Sequence, residues 1–326
     1  MKRGLRGLWA WVLSLVLLFT PQLVAAAGDY PQRPIRLLVG FGPGGPTDLT
    51  FRKLAELAAK DLGQPIIVEN KPGVGATLAA STMARQDKPD GYTIAAATAG
   101  MFRVPYMQKV DWDPIRDFTW IAGLGGYTFV LAVKADSPYK TAADLVNFAK
   151  ANPGRVSVAT AGAGTSMHLL TEAFAANAGV ELTHVGYKSS SEAAVSLLGG
   201  QTVAAVDAVG SLLPHVQSGA LRLLMSFDAE PPAWLPGVPT AKSLGYGVAN
   251  SAPYGLIGPR GMPPAVVDRL AAAFKKAVDD PEYAKLLERL GQTYWFSPPA
   301  EYGRFAAEYY VSERALVEQA KLMRQQ

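Results

Sequence analysis

The stretch Pro34–Ala59, PIRLLVGFGPGGPTDLTFRKLAELAA, runs from an apolar segment through a Gly/Pro turn straight into a helical pattern. A helix that starts so abruptly leaves its first backbone N–H groups without intrahelical partners, and its dipole favours negative charge beside them. The turn Gly42-Pro43-Gly44-Gly45-Pro46-Thr47-Asp48 therefore reads as an anion seat, with Gly42, Gly44, Gly45 and Thr47 nearest the anion and Phe41 at its flank. It carries no Lys where a nucleotide loop of the GxxxxGKS/T type needs one, and GxGxxG does not fit the position, so nucleotides are excluded. The same residues also suit an ordinary strand-to-helix turn with Thr47 or Asp48 as N-cap.

A second turn of this kind follows later, in VSVATAGAGTSMHLLTEAF. In Gly162-Ala163-Gly164-Thr165-Ser166, Thr165 and Ser166 are placed to cap the next helix, to bind a ligand oxygen, or to do both. Tyr187 flanks this second turn as Phe41 flanks the first; both rank above Phe102, Tyr127, Trp234 and Tyr254, which also fall near strand ends. Asp207 follows the apolar run Val203–Val206, at the end of a strand where α/β proteins bind ligands. It would repel a carboxylate and suit a ligand ammonium or hydroxyl, or it caps a helix over Ser211–Ser218.

Other chemistry is poorly supported. The histidines, His168, His184 and His215, have no metal-ligand spacing with Cys, Asp or Glu, and the chain has no cysteine. Ser166, His184 and Asp207 can be written as a hydrolase triad, but no G-x-S-x-G elbow accompanies them. Neither a metal nor a cofactor is expected. His168, just inside a helix, reads as an imidazole bonded to a neighbouring loop.

The elements that must position these turns alternate between short β-branched runs and helical runs. Strands are expected at Ile35–Val39, Pro65–Glu69, Tyr92–Ala97, Thr128–Val133, Val156–Thr160, Leu182–Val185, Val203–Val206, Leu221–Ser226 and Gly255–Ile257. Helices are expected at Leu49–Leu62, Thr141–Ala151, Ser166–Ala178, Ser191–Leu198 and Pro264–Val278, with Gly63 and Gly179 as C-terminal stops. From Pro263 the chain reads as three closing helices, punctuated at Pro281 and Ser297-Pro298-Pro299. Such alternation predicts an α/β fold of mostly parallel sheets flanked by helices, and two strand–turn–helix units predict two domains with a ligand held between them.

The N-terminus reads as an export signal: a basic segment with Lys2, Arg3 and Arg6, an apolar core over Leu8–Phe19, and the small residues Ala25-Ala26-Ala27. Cleavage is expected after Ala27. The whole chain is formally +4, and the signal carries three of those charges, so the mature chain is 4 − 3 = +1. A nucleic-acid surface is therefore not expected. The absence of cysteine rules out disulfides and a lipid anchor on a mature N-terminal Cys. The expected address is the periplasm.

The block YPQRPIRLLVGFGPGGPTDLTFRKLAELAAKDLGQPIIVENKPGVGATLAASTMARQDKPDGYT resembles the N-terminal part of the Bug family, the TctC-like receptors of tripartite tricarboxylate transporters. The similarity continues through DPIRDFTWIAGL, GRVSVATAGAGTSMHLL, HVGYKSSSEAAVSLLGGQ, LPGVPTAKSLGYG and the helical tail; VENKPG and PDGYT at their spacing are the specific motifs. The resemblance implies a two-domain periplasmic binding protein, with residues 28–125 plus 252–326 as domain 1 and 126–251 as domain 2. The hinge would lie near Gly125-Gly126-Tyr127 and Ser251–Tyr254. It implies a monomeric, non-catalytic receptor that closes on a small organic carboxylate (a di- or tricarboxylate, an acidic amino acid or an aromatic acid) and hands it to membrane transporter subunits. A sensory module docking on a membrane sensor is the alternative. By motif position the contacts fall on Phe41–Thr47 and on Gly164, Thr165, Ser166 and Asp207. The chain departs from the family pattern at Gly40 and Gly42, where VPFPPGG has prolines, at Gly186, where HVPYKG has proline, and at Pro253, where W-Y-G has tryptophan. These changes are expected to widen the cleft wall or loosen its loops.

Overall fold

The computed structural model describes residues 30–250 and 252–325. The expected export segment and its cleavage point lie outside them. The first sheet contains β1 (Ile35–Val39), β2 (Ile66–Asn70), β3 (Thr93–Ala97), β4 (Phe118–Tyr127), β10 (Ala252–Pro259) and β11 (Gln292–Ser297), ordered β11-β4-β10-β3-β1-β2. The second contains β5 (Phe129–Lys134), β6 (Val156–Thr160), β7 (Leu182–Gly186), β8 (Ala204–Ala208) and β9 (Leu221–Ser226), ordered β7-β6-β8-β5-β9.

Parallel pairing arises where a helix carries the chain back across a sheet. In the first sheet α1 (Pro46–Leu62) joins β1 to β2 and α2 (Leu78–Gln86) joins β2 to β3, while α3 (Gly100–Met107) follows β3. In the second sheet α4 (Ala142–Ala151) precedes β6, α5 (Ser166–Ala178) joins β6 to β7, α6 (Ser190–Leu198) joins β7 to β8, and α7 (Val209–Gln217) leads to β9. The tail adds α8 (Pro264–Val278), α9 (Pro281–Leu290) and α10 (Pro299–Gln319), the three closing helices, with β11 between the last two. Both sheets are mixed rather than mostly parallel. The chain leaves the first sheet along β4 and returns along β10, so these strands run in opposite senses, and β5 pairs antiparallel with both β8 and β9.

Local sequence explains most element boundaries. The helix α1 buries Phe51, Leu54, Ala58 and Leu62 at helical spacing and stops at Gly63, whose φ of +71° is left-handed and whose N–H bonds Ala59 O. Gly179 ends α5 in the same way, with φ +65°. Four elements carry no clear sequence signal. Three glycines interrupt β4, α3 buries residues almost all round and contains Pro105, and α2 and β11 are short.

The glycines of β4 are there for close packing. The two strands that pass between the sheets lie side by side, with Ala252 opposite Tyr127, Pro253 opposite Gly126 and Tyr254 opposite Gly125. A Cβ at Gly125 would stand 2.2 Å from Tyr254 Oη, itself buried and bonded to Tyr283 Oη (2.9 Å) and Gln292 Oε1 (3.0 Å). Gly125→Ala is therefore expected to cost about 1–3 kcal/mol by overpacking, read as a fall of several degrees in Tm; an unchanged Tm would contradict this packing.

Candidate functional site

The first turn brings the sheets together. Gly40 lies under the loop after β2, where a Cβ would meet Ala76 O at 2.0 Å. Phe41 O accepts from Asn70 Nδ2 (2.9 Å), and Gly42 N–H donates to Lys188 O (3.0 Å), a backbone bond between the half built on the first sheet and the half built on the second. Glycine at 40 and 42 thus does not widen the cleft: it permits close approach and supplies a donor that proline lacks. Gly186 acts similarly, with a Cβ position 3.2 Å from Ala163 N. Asp48 is turned back into its own loop. Burial alone would raise its pKa, but bonds from Arg52, Gly44 N–H and Asn70 hold it below the usual carboxylate value. Thr47 Oγ1 accepts from Tyr127 Oη (3.0 Å).

In the second turn Thr165 is the N-cap. Its Oγ1 donates to Gly162 O (2.6 Å) and accepts from His168 N–H (3.5 Å). Ser166 does something else: its Oγ accepts from Arg103 Nη1 at 2.5 Å. Arg103, on α3, is fully buried and also pairs with Glu313, Asn250 Oδ1 (3.2 Å) and Tyr309 Oη (3.3 Å). Burial alone would lower its pKa, yet Tyr309 and Glu313 raise it above its ordinary value, so it stays charged. Gly164 N–H donates to His168 Nδ1 (3.1 Å), which requires a neutral imidazole. Burial pushes the His168 pKa down to about 4, and burial with the neighbouring His168 ring does the same to His184. The 3.7 Å approach of His168 to Glu172 is therefore a polar contact rather than an ion pair.

The supposed triad is dispersed: Ser166 bonds Arg103, His184 bonds Thr160 Oγ1 (2.6 Å), and Asp207 bonds Ser190. Among the described residues, no group of three or more His, Cys, Asp or Glu is gathered to hold a metal.

Between the two turns lies a cavity of about 20 Å³. Five helix starts line it: Thr47 of α1, Gly100 of α3, Ser166 of α5, Ser190 of α6, and Ala208 just before α7. Phe41, Tyr127 and Phe129 supply aromatic wall, and no charged side chain lines it. The sequence reading placed the α1 and α5 starts at the site; it expected the α6 and α7 helices, from Ser191 and Ser211, without bringing their starts to the ligand, and it missed α3. It also missed Thr98, which lines the cavity and whose buried Oγ1 has no hydrogen-bond partner among the described residues. A capping serine signal at Ser189-Ser190 was available; α3 offered none.

A larger chamber of about 420 Å³ lies alongside, between Pro72–Ala76, Val104 and Met107 on one side and Ala161–Thr165 and Tyr187 on the other. Gly75 and Gly164 touch where the two spaces meet; a Cβ on Gly164 would lie 3.2 Å from Gly75 Cα. Val74 and Ala76 have φ of +49° and +67°, strained values for residues with side chains. The VENKPG motif leads into this loop, whereas PDGYT forms a structural turn in which Asp90 accepts from Tyr92 N–H.

The expected residues thus divide by location. Phe41, Thr47, Thr165 and Ser166 line the small cavity, and Gly164, Thr165 and Tyr187 line the larger chamber. Gly42, Gly44, Gly45 and Asp207 line neither and stand behind: Cβ positions on Gly44 and Gly45 would face Ser191 and Ser190. Tyr187 Oη is used within its own half, on Ser196 Oγ (2.6 Å).

Asp207 is fully buried. Its Oδ1 accepts from Ser190 Oγ (2.5 Å) and Ala208 N–H (2.7 Å), while Oδ2 has no hydrogen-bond partner among the described residues. Burial pushes its pKa up to about 7 despite those bonds. A carboxyl raised in the fold stabilises it below the unfolded value, near 3.8, and that contribution is lost as pH rises through about 7. Asp207→Asn is therefore expected to raise Tm relative to the parent more at pH 8 than at pH 5; a difference independent of pH would contradict the burial of this carboxyl.

Comparison with known proteins agrees with this architecture. The chain is 43% identical over 302 residues to the UPF0065 protein in the gbd 5′ region of Cupriavidus necator, covering 93% of this chain and 92% of that one. It is similar to the structure of MatC from Rhodopseudomonas palustris with bound malate, at TM-score 0.83 and 29% identity, covering 88% of this chain and 100% of that one. It is also similar to an R. palustris protein solved with adipate, at TM-score 0.84 and 26% identity, covering 90% and 99%. The fold shared with these structures is the two-sheet α/β architecture of a binding protein. With residues 50–322 matching the model described as the tripartite tricarboxylate transporter family receptor, TctC, the chain belongs to that family of solute receptors.

Proposed function

We propose that this receptor binds a small organic carboxylate between its two halves and delivers it to the membrane subunits of a tripartite tricarboxylate-type transporter. The observation that carries this reading is the convergence of five helix starts on one cavity that no charged side chain lines. Each end favours an anion by about 0.3–1 kcal/mol, and by up to about 2 kcal/mol when partly buried, so the five together supply part of the ~8 kcal/mol of a micromolar complex, before desolvation is subtracted. Relatives solved with malate and adipate support the same ligand class.

A space of about 20 Å³ holds little more than one water-sized group, so admitting a carboxylic acid requires the halves to part. The closing bodies are residues 28–125 plus 252–326 and residues 126–251, moving about the paired ends of β4 and β10. The mature chain begins after Ala27 and works in the periplasm as a monomer. Contacts with the ligand come from Phe41 and Thr47 at the start of α1 and from Thr165 and Ser166 at the start of α5, with Gly164 and Tyr187 in the adjoining chamber and Gly42, Gly44, Gly45 and Asp207 behind them.

A calorimetric screen of mono-, di- and tricarboxylates, acidic amino acids and aromatic acids is expected to yield at least one micromolar ligand; no binding by any of them would refute the reading. Gly42→Pro, which removes the N–H that bonds Lys188 O, should weaken that ligand by about two- to tenfold, the worth of one hydrogen bond in the closed form. Unchanged affinity would show that this bond takes no part in closure.

A further inference from the structure

Three hydroxyls around the small cavity, those of Thr47, Ser166 and Ser190, have directed hydrogen bonds, and buried Arg103 and Asp207 set two of them. Arg103 can only donate, so Ser166 Oγ must accept from it. The Ser166 proton is then free to point at a ligand oxygen, and a full positive charge stands one hydroxyl behind it. Thr47 Oγ1 likewise accepts, from Tyr127 Oη, and its own proton is free. On the other side the polarity reverses. Ser190 Oγ donates to Asp207 Oδ1, so its proton is committed and its lone pairs are left for a donor. Asp207 stands behind Ser190 as Arg103 stands behind Ser166. Both are fully buried, and one Asp207 oxygen has no hydrogen-bond partner among the described residues.

The cavity is thus polarised, with donors at Thr47 and Ser166 and an acceptor at Ser190. All three residues line this one space of about 20 Å³. A ligand satisfying both must carry its anionic oxygens and its donor on neighbouring atoms. We propose that the ligand is a 2-hydroxy or 2-amino carboxylate, its carboxylate held by Thr47 and Ser166 and its hydroxyl or ammonium by Ser190. This rests on the carboxylate reading above and narrows it. A plain carboxylic acid would leave the Ser190 lone pairs buried without a donor, and an unmet buried polar group is costly. Hydrogen-bond chains running from Arg103 to a carboxylate, and from an ammonium or hydroxyl through Ser190 to Asp207, reinforce each other in a site shielded from water.

The test is calorimetry with matched triplets: succinate, malate and aspartate; glutarate, 2-hydroxyglutarate and glutamate; phenylacetate, mandelate and phenylglycine. In at least one triplet the hydroxy or amino member should bind at least tenfold tighter than the unsubstituted acid. Ser190→Ala should erase that preference, Ser190→Thr should retain it, and Ser166→Ala should weaken all members of the triplet alike. Near-ultraviolet circular dichroism checks that each variant is folded. Equal affinities within every triplet, or a preference that survives Ser190→Ala in the folded variant, would overturn the inference while leaving the carboxylate reading intact. If none of the nine acids binds but another acid of the wider screen does, this inference is overturned and the carboxylate reading stands; if nothing in the wider screen binds, both fall.

Discussion

Backbone amides at the start of a helix have nowhere within the helix to donate, and the site is built from that constraint. The chain aims five helix starts at one small space. Thr47 and Ser166 each stand in the first turn of a helix with a hydroxyl turned by a partner behind it. The lining of that space contains no Lys or Arg, and the proposed carboxylate would be held there by backbone and hydroxyl groups. Arg103 and Asp207, both fully buried, stand one hydroxyl away, behind Ser166 and Ser190.

Bringing so many helix starts together demands backbone-to-backbone contact, which explains the glycines. Gly75 is the centre of it. Its carbonyl lies where a Cβ on Gly100 would stand, at 1.9 Å, and its Cα faces Gly164. Gly40 takes the Ala76 carbonyl, and Gly42 bonds Lys188 across the halves. The left-handed Val74 and Ala76 are the strained consequence of threading one loop among three others. Arg103 secures the arrangement from behind: its partners Glu313 and Tyr309 lie on α10, Ser166 begins α5, and Asn250 lies just before the return strand.

Much of this was legible in the sequence where a local rule applies. The two Gly-rich turns, the helices that follow them and the stops at Gly63 and Gly179 all follow from short-range spacing. The mixed character of the sheets was not, because strand direction depends on where the chain crosses between sheets. Nor was β4, whose glycines look like breaks until Tyr254 and Trp295 are seen to occupy the space beside them. The roles of Arg103 and Thr98 depend on contacts between distant segments and have no local signature. The glycines at 40 and 42 show the limit most clearly: absent side chains suggest a wider cleft, whereas the partners they meet make it a tighter one.

The central claim is that a carboxylate sits at the convergence of the helix starts, and a crystal structure with a bound carboxylic acid tests it most directly. The account predicts carboxylate oxygens within hydrogen-bond distance of Thr47 Oγ1 and Ser166 Oγ, with the halves closed over the ligand. A ligand held wholly in the chamber beside Met107 and Tyr187, making no contact with either hydroxyl, would contradict it.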